Sequence, residues 1–134
     1  MSETIVIDAT ETVLGRLASH AAKAALLGKS VVVVNCSNAL ITGNYSVTVG
    51  KYKEMRSRGK GNQRGPTVPK VAEKLVKRTI RGMLPHLQTR GIEALKRVRC
   101  YDDVPDEYKD AKKLSFVREL RVKSLKMSDL LRRI

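Results

Sequence analysis

The sequence predicts an α/β domain built on parallel strands, and three observations carry that prediction. Thr4-Ile5-Val6-Ile7-Asp8 is apolar and β-branched and reads as a first strand. A helix from about Val13 to Leu27 follows, with Leu14, Leu17, Ala18, Ala21, Ala24 and Ala25 on one face. Val31-Val32-Val33-Val34-Asn35 then gives four consecutive valines, the pattern of a strand covered on both faces, as parallel strands are. A strand–helix–strand unit of this kind crosses over with a right hand.

Each element has its local reason. The small alanines let the first helix pack close to a sheet, while Arg16, Ser19, His20 and Lys23 take its opposite face. Gly28 sits where a helix C-cap glycine belongs. Ala39 to Thr42 reads as a short third strand, and Gly43-Asn44 as a break with Asn44 placed to cap the next element. Tyr45, Val49 and Tyr52 recur at helical spacing up to about Arg56. Val47, Thr48 and Val49 argue for a strand instead, and helix is the expectation kept here.

Residues 57–69 form a glycine- and proline-rich basic loop carrying Arg58, Lys60 and Arg64, with Arg56 just before it and Lys70 just after. Such a composition does not pack alone. It reads either as a plain surface loop or as a phosphate-tracking extension that orders on binding, and the cationic helix next to it favours the second.

That helix is the most informative stretch. Advancing by about 100° per residue from Val71 places Val71, Ala72, Leu75, Val76, Ile80 and Met83 on one side. Lys70, Lys74, Lys77, Arg78 and Arg81 fall on the other, within an arc of about 100°, with only Glu73 of opposite sign. A solvated face usually mixes signs, whereas a one-signed stripe marks a polyanion surface. Pro85 stops the helix after Leu84, and His86 and Arg90 come next. Gly82 lies at the border of the two faces, where a missing side chain admits the backbone of a protein segment or of RNA; RNA is the expected neighbour.

Further on, a short helix fits Thr89 to Arg97 with Ile92 and Leu95 inward, and Val98 to Tyr101 alternates as a fourth strand. Asp102 to Lys113 is acidic and turn-rich, the pattern of a surface loop. A strand is expected around Phe116-Val117 and a closing amphipathic helix over Met127 to Arg132, with Arg118, Arg121, Lys123, Lys126, Arg132 and Arg133 extending the basic surface. Nothing separates a second domain: the 134 residues read as one domain with a C-terminal extension from about residue 106.

The totals narrow the function. A net charge of +14 favours nucleic acid or an acidic membrane surface as partner, and 42% hydrophobic residues separate this chain from a disordered basic tail. No apolar run approaches the ~20 residues that span a bilayer, and MSETIVID lacks a signal-peptide pattern, so the expectation is a cytoplasmic protein with no membrane partner. Cys36 and Cys100, without CxxC and with His20 and His86 the only histidines, read as buried reduced thiols rather than metal ligands. Aromatics make up only 4%, so recognition should lean on phosphates and shape rather than on base stacking.

A nucleotide-binding enzyme is the competing class. Asp8 and Asn35 would end their strands on the edge where open α/β sheets bind ligands. Yet the first strand–helix junction, DATETVLGR, holds one glycine, Gly15, and neither GxGxxG nor GxxxxGK[ST] occurs. Gly15 is expected to serve close packing or a turn at the helix start. No Ser or Cys has a His and acid framework around it, and no cofactor or small-molecule substrate is expected.

The sequence resembles the large-subunit ribosomal protein L13 family. The carriers are the pattern D-A-x(5)-L-G-R-L-A-S from Asp8, Gly28-Lys29 before the valine strand and Asn35, and Ile41-Thr42-Gly43. The strongest is Arg78-Thr79-Ile80-Arg81-Gly82-Met83-Leu84-Pro85-His86, then Arg90-Gly91 and Ala94-Leu95. The run from Val98 to Tyr101 fits the family's last sheet strand. The long segment from Asn44 to Arg56 and the Pro85-His86 ending are similar to the archaeal and eukaryotic branch. The resemblance covers most of residues 4–105 and fades beyond Lys109.

It implies a three-layer α/β/α sandwich with a four-stranded parallel sheet, and a structural, non-catalytic role in the large ribosomal subunit. The implied partners are 23S-type ribosomal RNA and neighbouring large-subunit ribosomal proteins. It adds Arg78, Arg81, Gly82, Pro85, His86 and Arg90 as RNA-facing residues. With the basic positions Arg16, Lys23, Arg56, Arg58, Lys60, Arg64, Lys70, Lys74 and Lys77, these make up the expected RNA-binding set.

Overall fold

A computed structural model of the protein describes residues 3–58, 68–118 and 120–134. In chain order they form β1 (Thr4–Asp8), α1 (Leu14–Leu26), β2 (Ser30–Val34), a 3-10 turn at Cys36–Asn38, β3 (Leu40–Thr42) and α2 (Tyr45–Ser57). Then come α3 (Ala72–Gly82), α4 (Thr89–Lys96), β4 (Val98–Cys100), a second 3-10 turn at Asp106–Tyr108, β5 (Lys113–Ser115), β6 (Ser124–Lys126) and α5 (Met127–Arg133). Most of the basic loop, residues 59–67, lies outside the described residues.

The main sheet has the order β4-β2-β1-β5, and all its pairs are parallel. Side chains alternate across it. Ile7, Val31 and Val33 enter the larger core with Leu17, Ala18 and Ala21 of α1 and Leu75, Val76 and Ile80 of α3. Val6, Val32 and Val34 face the other way, under Tyr101, Val104, Tyr108 and Ala111. The sheet is therefore the middle of three layers, an α/β/α sandwich whose second outer layer is a 3-10 turn and its flanks. That layer is the acidic stretch 102–113, which the sequence suggested was only a surface loop. Three of its side chains, Val104, Tyr108 and Ala111, with Tyr101 just before it, cover the valines that α1 and α3 cannot reach.

The two central strands and α1 stand where the pattern put them. Gly28, at φ +92°, closes α1: its amide donates to the Ala25 carbonyl at 3.1 Å, and the Lys29 amide to Ala24 at 3.2 Å. Arg97 Nη1 also donates to the Ala25 carbonyl, at 2.7 Å, so the residue before β4 helps to cap a helix 72 positions earlier. In α2 the helix wins over the β-branched residues. Asn44 Oδ1 accepts from the Ser46 amide at 3.1 Å, and Thr48, Val49, Tyr52 and Met55 recur along the inward side.

Three placements differ from the expectation. β3 is a strand but not part of the main sheet: it pairs antiparallel with β6. The run from Val98 is not the last strand of the sheet, because β5 pairs with β1 on the far edge; the strand expected at Phe116-Val117 ends one residue earlier, at Ser115. In α4 the inward residues are Gly91 and Ala94, with Leu95 half-buried, whereas Ile92 is 44% exposed.

Gly91 explains the α4 difference. A Cβ there would overlap the Pro85 carbonyl and stand 2.8 Å from the His86 amide nitrogen. The turn after α3 lies directly on α4, and only glycine leaves room for it. At Gly15 an added Cβ meets nothing within 4 Å, so close packing is not its role.

Residues beyond 106 contribute to the core. Met127 and Leu130 of α5 are fully buried, and the Met127 amide donates to the Ala39 carbonyl at 2.9 Å.

Two substitutions test this packing. Leu75→Ala should destabilise by about 2–5 kcal/mol in urea unfolding, since the side chain is fully buried. Gly91→Ala should cost about 1–3 kcal/mol or more, because the obstacle is backbone. A Gly91→Ala protein as stable as the parent would show that the turn at Pro85 yields freely.

Candidate nucleic-acid interface

The cationic helix is set in place from the sheet. α3 packs on α1, β4, the first 3-10 turn and α5. Its N-cap residue Val71 offers no side-chain acceptor; the carboxylate of Asp102, just after β4, accepts from the Glu73 amide at 2.9 Å. An acid at a helix N-terminus suits both the free amides and the helix dipole. It also fixes the azimuth of the helix, and so of its charges.

Ala72, Leu75, Val76 and Ile80 are buried, as the wheel requires, but Val71 and Met83 are 37% and 43% exposed. Both stand at helix ends, one as N-cap and one as C-cap, where the wheel no longer applies. Lys70, Lys74 and Arg81 are exposed, and Lys77 and Arg78, at the edges of the arc, are half-buried. Arg78 lies beside Tyr52 of α2: burial raises the Tyr52 hydroxyl and the guanidinium opposes that rise. None of the five cations forms an ion pair with a described residue.

Lys74 and Lys77 line an open cleft of about 240 Å³ with Glu73, Arg99, Cys100 and Tyr101. Arg99 was missed by the sequence reading, although the alternation of Val98, Arg99 and Cys100 points its side chain outward. Cys36 lies buried behind Cys100. That neighbour and then burial push its thiol far above the usual range, so it stays a neutral thiol at physiological pH. Cys100 is only half-buried.

The turn after α3 carries Pro85 and His86, and Arg90 follows in the first turn of α4. The His86 amide donates to the Leu84 carbonyl at 2.8 Å and the Gln88 amide to Pro85 at 2.9 Å. His86 and Arg90 are exposed, with Arg90 Nε donating to Gln88 Oε1 at 3.2 Å. Gly82 is exposed, and an added Cβ there meets nothing within 4 Å, so no described protein segment packs against it.

The remaining positions are scattered. Arg16 and Lys23 are exposed on α1. Arg56 Nη1 donates to the Val68 carbonyl at 3.0 Å and ties the two ends of the basic loop together. Arg58 pairs with Glu54 at 3.0 Å, an exposed contact worth about 0–1 kcal/mol that a stronger anion can displace. Lys60 and Arg64 lie outside the described residues.

The edge where an α/β enzyme would hold a nucleotide is filled by the chain itself. Ala9, Thr12, Cys36 and Ala39 are fully buried there. Asp8 and Asn35 do meet at the strand ends, as expected, but they engage each other: Asn35, in the left-handed conformation at φ 58°, donates Nδ2 to Asp8 Oδ1 at 3.1 Å. The Thr10 amide and hydroxyl donate to the same oxygen at 3.0 and 2.7 Å. Burial alone would raise the Asp8 carboxyl, but these three donors and Lys113 outweigh it and hold it below its ordinary value.

Fold and surface thus define a basic α/β protein with a filled strand-end crevice and a cationic helix without an ion pair among the described residues. Residues 2–107 match the family described as ribosomal protein L13. The large ribosomal subunit protein uL13 of Methanosarcina barkeri is 43% identical over 111 residues, covering 82% of this chain and 79% of that one. Its counterpart in Archaeoglobus fulgidus is 45% identical over 102 residues, 76% of this chain and 65% of that one. The match to Natronomonas pharaonis uL13 is 39% over 126 residues, 94% and 85% of the two chains, and so runs well past residue 107. The chain belongs to the ribosomal protein L13 family.

The Asp8 cluster gives a pH test. A carboxyl lowered by folding adds stability above its unfolded value, near 3.8, and that share is lost as pH falls through the lower folded value. Asp8→Asn should therefore lower the melting temperature at neutral pH, and the difference from the parent should shrink below about pH 3.8. A difference independent of pH would mean that Asp8 acts through shape rather than charge.

Proposed function

We propose that this chain is a structural, non-enzymatic constituent of the large ribosomal subunit, working in the cytoplasm as a single domain. It binds and stabilises large-subunit ribosomal RNA through the cationic face of α3, Pro85 and His86 of the turn after it, Arg90 of α4 and the basic loop, beside neighbouring large-subunit proteins. Its membership of the ribosomal protein L13 family supports the ribosomal role. The observation that carries the RNA contact is the arc of Lys70, Lys74, Lys77, Arg78 and Arg81, one-signed and without an acid partner among the described residues. Phosphates would supply the missing counter-charge and release their condensed cations in doing so. Lys60 and Arg64 extend the same chemistry along the loop, and Arg99 along β4.

The test is filter binding to large-subunit ribosomal RNA across a salt series. A contact of about six phosphates should lose affinity by about a thousandfold between about 50 and 200 mM salt. Arg78→Ala/Arg81→Ala should flatten that slope while leaving the melting temperature within a few degrees of the parent. A salt-independent affinity would overturn the proposal.

Gly82 gives a finer test. With open space around it, Gly82→Ala should raise stability by up to ~1 kcal/mol. If the RNA backbone approaches there, the same variant binds ribosomal RNA less tightly. Unchanged affinity would mean that the glycine only loosens the helix end.

A further inference from the structure

The sheet has two outer edges. The cations of α3 lie along the β4 edge, where Lys74 and Lys77 share a cleft with Arg99. On the opposite side, past β5, lies a second and larger cleft of about 510 Å³. It is lined by Arg16 and His20 of α1 and by the strand end Ser115-Phe116-Val117-Arg118.

Three features of this cleft fit together. Phe116, the one phenylalanine in the chain, lies flat against the His20 imidazole, with ring centroids 3.9 Å apart and planes within 3° of parallel. Phe116 is half-buried against the core, whereas His20 is exposed, so the stacked pair lines the cleft with the imidazole as its more exposed ring. Arg16 and Arg118 flank it, both exposed, and neither forms an ion pair with a described residue. A stacked ring between two guanidinium groups that have no ion pair among the described residues matches an unstacked nucleotide: rings take a base on their faces, and guanidinium groups take the phosphates on either side.

We infer that this cleft is a second RNA contact, taking an unpaired nucleotide of the ribosomal RNA on the His20–Phe116 pair between Arg16 and Arg118. The inference rests on the ribosomal-RNA reading above and deepens it. With contacts at both edges of the sheet, the domain bridges two RNA segments instead of lying along one. The low aromatic content argues against a stacking platform only while the aromatics are counted; here two rings suffice because the fold brings them together.

The test compares the cleft variants Arg16→Ala/Arg118→Ala and His20→Ala with Arg78→Ala/Arg81→Ala, all in the full chain, with intact large-subunit ribosomal RNA as probe. Arg16→Ala/Arg118→Ala should reduce the slope of log affinity against log salt by about 1.5, the share of two phosphates. His20→Ala should weaken binding about tenfold, the effect of one lost stacking contact. Ultraviolet cross-linking should join Phe116 or His20 to an RNA segment different from the one joined to α3. Melting temperatures establish that each variant is folded.

Wild-type affinity and slope in the cleft variants, with Arg78→Ala/Arg81→Ala impaired, would overturn this inference and leave the α3 contact standing. Wild-type behaviour in both double variants would overturn the RNA reading itself. If the cleft variants bind RNA normally but leave large subunits in a high-salt wash, the cleft faces a protein, and the inference is wrong.

Discussion

The four valines of β2 have to be covered from both sides, and most of the architecture answers that requirement. Val31 and Val33 are buried under α1 and α3, and Val32 and Val34 under the segment from Tyr101 to Ala111. Fully burying one such side chain is worth about 1.5–3 kcal/mol, so leaving either face open would remove much of a typical domain's net stability. The helices on the first face need small residues to come close, which the alanines of α1 provide. The second face is covered by chain that looks hydrophilic in sequence, because only one residue in three or four turns inward.

Placing α3 depends on the same requirement. Its apolar side must lie on the core, its N-terminus is held by Asp102, and its five cations are left on the outer side. A long basic side chain cannot be buried without a partner, so the packing that places Leu75, Val76 and Ile80 also sorts the charges. The surface is thereby determined by the core. Gly91 then fixes where the chain goes after α3, by letting the Pro85 turn rest on α4.

Local pattern carried much of this. The first strand, the alanine helix, the valine strand, the Gly28 cap and the buried side of α3 each arise from residues within one or two turns, and the structure agrees with them closely. What was illegible depended on contacts far apart in the chain. β3 pairs with β6 about 85 residues later, and Arg97 caps α1 from 72 positions away. Val71 and Met83 misled because a helical wheel has no ends, whereas a helix does. Asn44 shows the reverse case, a single capping side chain that decides for helix against three β-branched neighbours. For the interface, the arc on α3 was visible as periodicity. Arg99 and the stacked pair of His20 and Phe116 were not, since each depends on which strand lies beside which helix.

The place of β5 bears on how this chain comes to exist. β1 is translated more than 100 residues before its outer partner β5, and α5 fills the core later still. Until Ser115 has emerged, one edge of β1 stays unpaired, and until Leu130 has emerged the core lacks two of its largest fully buried side chains. Exposed edges and vacant cores are what nascent chains shelter or aggregate through. The sheet edge and the core therefore close only once β5 and α5 have both left the ribosome, whatever has folded before them.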